Sequence, residues 1–208
     1  MQTVLPGTIL PLPPGQQDHL FSVLEPILAV SGGGLQLSQV SQMTGLTATT
    51  IQNWVKRGWV EAPTNKKYGA QQVARILLIN LLRPTMQLDQ IVTLLGFING
   101  RVDSRADDII PEPQLYSLVG GLLLRLEQQE AITHRTIHDL VEQQLKDYTG
   151  PVPDAKSRLQ TALELMLLNI SAALLMASAR TLYIERIQHT KEEGEGTAPL
   201  SEKEGDAK

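Results

Sequence analysis

Apolar residues recur along this chain at helical spacing, in runs separated by Gly, Pro or polar breaks. Leu20, Val23, Leu24, Ile27 and Leu28 predict an amphipathic helix in residues 17–30, with Pro26 as its kink or boundary. Ser31-Gly32-Gly33-Gly34 ends it. A short helix follows over 38–44, with Ser38 as N-cap and Val40 and Met43 on its inner side. Gly45 permits a left-handed turn and Leu46 fills the angle. Thr47 caps a second helix, in which Ile51 and Val55 face inward beside Trp54. Gly58 ends that helix. Trp59-Val60 and Lys66-Lys67-Tyr68 are expected to pair as a β-hairpin, a wing, over the turn Ala62 to Asn65.

Residues 70–82 are apolar on most sides and predict a sandwiched helix, which Arg83-Pro84 ends. Leu88, Ile91, Val92, Leu95 and Ile98 mark a fourth helix. The second half reads as helices over 115–129, 133–148 and 154–188, the last about 52 Å long if unbroken. Residues 1–15 are Pro-rich and read as an extended arm, while 191–208 are acidic and read as disordered. The expected fold is mainly all-α. It divides into an arm and short helix at 1–34, a head at 35–100, a linker at 101–113, a helical region at 114–190 and a tail at 191–208.

The chain of 208 residues has no Cys, which excludes disulfides, thiolate metal sites and Cys nucleophiles. Its formal charge of −4 is unevenly spread. Between Leu37 and Pro84 lie Lys56, Arg57, Lys66, Lys67, Arg75 and Arg83 against Glu61 alone, a local net of +5 that leaves −9 for the remainder. A basic patch inside an acidic protein is the footprint of a face that meets phosphate. The start has no basic n-region and is broken by Pro6, Pro11, Pro13 and Pro14, so no secretory leader is expected. The uncharged run 165–179 falls short of the ~20 residues of a membrane span and reads as a core helix. A cytoplasmic protein without a membrane partner is the expectation.

On the second helix, Thr49, Thr50, Gln52, Asn53 and Lys56 remain outside the core assignment. Such a helix fits the major groove, where Gln and Asn can pair with adenine and Thr can meet a thymine methyl. Lys56, Arg57, Lys66 and Lys67 would neutralise phosphates, and Tyr68 at the end of the wing joins them as an expected DNA-binding residue. The plain alternative is a solvated helix face beside a charged turn. His134, His138 and Glu142 share one helix face at a spacing that can bind zinc, or are simply a polar surface. No nucleophile, base and orienter can be assembled, and no Gly-rich phosphate loop follows a strand, so neither an enzyme nor a cofactor is expected.

The motifs Gly45-Leu46-Thr47, Thr50-Ile51, Gly58-Trp59-Val60, Tyr68 and Met86 to Ile91 resemble the DNA-binding domain of MerR-family regulators. The phrases TIQNWVKRG and NKKY are similar to an uncharacterised bacterial family of MerR-like proteins, a domain of unknown function. The resemblance covers residues 37–98 and implies a winged helix-turn-helix that binds double-stranded DNA and regulates transcription. Gln52 and Asn53 stand where that family usually has Arg and Tyr, Val55 where it has Glu, and the wing is shorter. No effector carries over. Ser171, Ala172, Ala173, Ala177, Ser178 and Ala179 let another helix approach closely, which suggests a homodimer through the C-terminal helices. Two rival readings are a protein-interaction adaptor that has left DNA, and a sensor whose helical half encloses an unknown small-molecule effector.

Overall fold

The structure, a computed structural model, describes residues 4–13, 15, 20–100 and 108–188. The acidic tail, residues 17–19 of the first expected helix and residues 101–107 of the expected linker lie outside the described residues. The described residues are mainly helical, with a small two-stranded sheet. The helices are α1 (Glu25–Val30), α2 (Leu37–Thr44), α3 (Ala48–Lys56), α4 (Ala70–Leu82), α5 (Leu88–Asn99), α6 (Glu112–Leu126), α7 (His134–Gln144) and α8 (Ala155–Tyr183). The strands are β1 (Leu35–Gln36) and β2 (Lys67–Tyr68).

Helix α4 is the axis of the core. Its residues from Gln72 to Ile79 are all buried, because α6, α5, α2 and β2 pack around it. Three helices start by one device. The third helical residue is a Gln whose Oε1 accepts the N–H of the residue before the helix: Gln39 to Gln36, Gln72 to Gly69, and Gln90 to Gln87. That satisfies one of the donors every helix start leaves open. The expected Ser38 cap is therefore corrected, since α2 begins at Leu37 with Gln36 as N-cap. The first helix also differs. Leu20–Val23 is a 3-10 turn, and Pro26 sits near the start of α1, where its missing N–H does no harm.

The N-terminal arm is not extended. The N–H of Leu5 bonds Leu10 at 2.8 Å, and Leu5 is fully buried. Asn80 Nδ2 donates to the carbonyls of Gly7 and Thr44, and the Tyr116 hydroxyl donates to Pro6 at 2.6 Å. Burial raises the Tyr116 phenol above its ordinary pKa, so it stays a donor. At the other end, the Arg158 guanidinium of α8 donates to the carbonyls of Phe97 and Ile98 and stacks on the Phe97 ring, capping α5.

The chain divides into two compact units, Met1–Ser171 and Ala172–Lys208. The expected linker at 101–113 falls within the first of these units. One apolar core runs from Leu5 to Ile170, and Arg75 of α4 is buried in an ion pair with Glu112 of α6. In the first unit, α8 buries Leu159, Leu163, Met166, Leu167 and Ile170. In the second, α8 ends in a π-helical turn, Ile184–Gln188, and its Leu175 and Met176 are 61% and 66% exposed. The apolar helix is also longer than the uncharged run implied. Ala155–Ile187 is long and apolar enough to cross a membrane by length and composition, with a third of its most apolar window buried.

Candidate nucleic-acid interface

Helix α3 is fixed from its ends and its inner side. Thr47 Oγ1 accepts the N–H of Thr50 at 3.1 Å, and Gly58 stops the helix at φ +71°. Ile51 and Trp54 are buried. With those two inward, the 3.6-residue repeat turns Thr49, Gln52, Asn53 and Lys56 outward, and all four are exposed. Thr50 is half-buried, and its hydroxyl bonds that of Thr47 at 2.8 Å. Arg57 is exposed and its guanidinium lies 5.0 Å from the centroid of the Trp59 ring, a cation–π contact that fixes its direction.

The loop after α3 is corrected in its pairing. Trp59-Val60 does not pair with Lys66 to Tyr68. Instead β2 pairs antiparallel with β1, Leu35 opposite Tyr68 and Gln36 opposite Lys67. The tip is a two-residue turn. Thr64 bridges Lys67, whose N–H bonds the Thr64 carbonyl at 2.9 Å. Both central residues are left-handed, Asn65 at φ +51° and Lys66 at φ +63°, as a type I′ turn requires. Asn suits that conformation, but the second position of such a turn favours Gly, and Lys there is strained by about 1–2 kcal/mol. Lys66→Gly removes that strain and loses about 0.4–1 kcal/mol to the freer unfolded chain. The balance predicts a gain of about 0.5 kcal/mol, seen as a melting midpoint raised by roughly 1–2 °C.

Lys66 is exposed and lines two clefts that share Leu37. One, of about 460 Å³, is floored by Leu37, Val55, Pro63 and Tyr68 and rimmed by Gln52, Lys56 and Lys66. The other, of about 370 Å³, is lined by Gln36, Leu37, Ser38, Asn65, Lys66 and Lys67. Thus Gln52 and Lys56 of α3 are brought together with Lys66 of the turn. Three expected contributors are placed otherwise. Lys67 is half-buried and its Nζ donates to the Ser31 carbonyl at 2.6 Å, closing the end of α1. Tyr68 is 3% exposed, with its phenol pKa raised by burial, so it is a floor and not a reader. Arg75 is 3% exposed, bonded to Glu112 and, through Nε, to the Trp59 carbonyl at 2.6 Å. Arg83 stays exposed, with Nε on Asn80 Oδ1.

Sequence reasoning missed Leu37, Ser38 and Asn65 as parts of this surface. Asn65 beside a Lys pair between two β-prone stretches was the available signal. The His134, His138 and Glu142 spacing is also rearranged. Glu142 is exposed, and the acid that meets the imidazoles is Glu164 of α8. Its Oε1 lies 2.8 Å from His138 Nδ1 and its Oε2 3.7 Å from His134 Nε2, while Gln160 donates to Oε1 at 3.1 Å. Among the described residues no group of three or more such side chains is arranged to hold a metal ion.

Comparison with known proteins adds a family description without a function. Residues 24–119 match the family described as "Domain of unknown function (DUF1836)". That stretch runs from the residue before α1 into α6, past residue 100, and takes in both Arg75 and Glu112. Over 116 residues the chain is 24% identical to "Uncharacterized protein YkrK" of Bacillus subtilis (strain 168). The match covers 53% of this chain and spans half the length of that relative. No solved structure matches.

Proposed function

We propose that this protein is a DNA-binding transcriptional regulator whose residues 35–100 act as a winged helix-turn-helix of the MerR type. Helix α3 is the reader and the Asn65-Lys66 turn is a reduced wing. The observation that carries this reading is the cleft where Gln52, Lys56 and Lys66 meet. It sets two ammonium groups at the rim of an exposed helix face whose own polar side chains have no task in the core. Lysines at the rim suit phosphates, and amide side chains on the helix suit base edges. Lys66 supports it further, because a strained backbone at an exposed cation is explained by what the side chain does.

The test is selection of bound duplexes from a random pool, followed by binding of the winner at several salt concentrations. Gln52→Ala and Asn53→Ala are expected to change the ranking of sites, each by about 1–3 kcal/mol at the affected base pair. An unchanged ranking removes α3 as the reader. One observation favours the adaptor reading instead. Two of the six basic residues of the head are held internally, Arg75 by Glu112 and Lys67 by Ser31, and the cleft has an apolar floor. Absence of duplex binding at low salt decides for that reading.

A further inference from the structure

We infer that the cleft between α3 and the turn seats one deoxyribose of a DNA strand, with Lys56 and Lys66 on the phosphates either side of that sugar, and that it disfavours ribose there. The seat presupposes the DNA reading and specifies what the cleft takes. Three parts of the head meet in it. Helix α3 brings Gln52, Val55 and Lys56, the start of α2 brings Leu37, and the loop and turn bring Pro63, Lys66 and Tyr68. Leu37, Val55 and Pro63 are half-buried and present only carbon, while buried Tyr68 adds one hydroxyl. The rim has the opposite character, since Gln52, Lys56 and Lys66 are exposed. A base edge on such a floor would leave donors and acceptors unpaired, and a phosphate there would lose its water. A deoxyribose suits it, because its face is mostly carbon and every sugar within a strand has a phosphate on both sides.

The neighbouring cleft continues the pattern. It shares Leu37 and Lys66 with the first, but the rest of its lining is polar: Gln36, Ser38, Asn65 and Lys67. An apolar seat beside a polar, cationic one matches a polymer in which sugar and phosphate alternate. Lys66 lines both clefts, which is the place of a phosphate between two sugars. An acidic peptide would also meet the lysines, but its backbone N–H and C=O groups would find few partners over Leu37, Val55 and Pro63. A 2′-hydroxyl on the seated sugar would exchange water for that same carbon floor, and this group is what separates RNA from DNA at a single site.

The duplex selected by the wild-type chain is remade with single methylphosphonate linkages, which remove one phosphate charge at a time. Each duplex is titrated by fluorescence anisotropy against wild type, Lys56→Gln and Lys66→Gln. Both lysines are exposed, so folding is expected to survive in each variant. In the wild type, two consecutive linkages of one strand are expected to cost about 8-fold each near 0.1 M salt. Lys56→Gln should abolish the cost at one of them and Lys66→Gln at the other. A ribonucleotide at the sugar between them should weaken binding about 10-fold. A 2′-fluoro sugar there keeps the ribose pucker without the hydroxyl and should cost less than about threefold. Normal binding of the unmodified duplex, with the two lysines coupled to separated linkages or to different strands, overturns the seat and leaves the DNA reading standing. Equal loss with ribose and 2′-fluoro, or no loss with either, does the same. Failure of the unmodified duplex to bind at low salt overturns both, and turns the cleft over to an acidic peptide.

Discussion

Glutamate at both Lys56 and Lys66 is expected to lower affinity for every DNA duplex by about 100-fold near 0.1 M salt. The two ammonium groups rim one cleft, and each is exposed. In the proposed DNA complex, each phosphate they neutralise adds about 0.9 to the slope of log affinity against log salt. Two such contacts are worth roughly 60-fold between 1 M and 0.1 M salt, and reversing the charges adds repulsion to that loss. The loss should be uniform over sequences, and the salt slope should become shallower by about 2. Fluorescence anisotropy at four salt concentrations measures both quantities. Folding is expected to survive, because neither side chain is buried and surface changes of this kind stay within about 0.5 kcal/mol. The left-handed backbone at residue 66 is as strained with Glu as with Lys. Full affinity in this variant means that the cleft does not face DNA. A pairing of Lys56 with Lys67 is a poorer test, because Lys67 also holds the Ser31 carbonyl and its loss reaches the fold.

The local signals in the sequence were read where the local chain alone decides. Helix α4 has the bounds expected of it, since it is apolar on most sides and Arg83-Pro84 ends it. Thr47 and Gly58 at α3, and Gly45 at the end of α2, do what their types imply. Two-residue strands escape such reading, because they are too short to show an alternation. Nothing near Leu35-Gln36 marks it as the partner of Lys67-Tyr68. Charged residues were equally opaque. Arg75 looks like one more member of a basic patch, and only the fold reveals a buried acid opposite it. That acid, Glu112, lies between Pro111 and Pro113, where prolines and neighbouring charges read as a linker. His134 and His138 do share a face, but their acid comes from α8, which a pattern within one helix cannot show. The exposed half of the candidate site was therefore legible, and the half that depends on distant partners was not.

Removing one partner of the Arg75–Glu112 pair is expected to cost as much stability as truncating a large side chain of the core. Both side chains are nearly inaccessible, at 3% and 2%. The pair joins α4 to α6, and Arg75 also holds the Trp59 carbonyl at the exit of α3. Glu112→Ala leaves a guanidinium buried without its counter-charge, which costs about 3–5 kcal/mol. For a chain of this size that lowers the melting midpoint by roughly 6–20 °C. The double variant Arg75→Met with Glu112→Leu removes both charges and fills the space with apolar atoms. It should recover most of the loss, since a buried pair replaced whole is often neutral or stabilising. Thermal melts of the two single variants and the double variant form a cycle that isolates the coupling. Additive losses, with the double variant worse than either single one, would falsify the buried pair as the link between the two helices. A coupling of several kcal/mol would instead tie the α3 exit and the start of α6 into one mechanical piece. Duplex affinity of the folded double variant then reports how far the position of α3, the proposed reader, depends on Trp59 being held, separately from stability. An unchanged affinity there means that Thr47, Ile51 and Trp54 suffice to position α3.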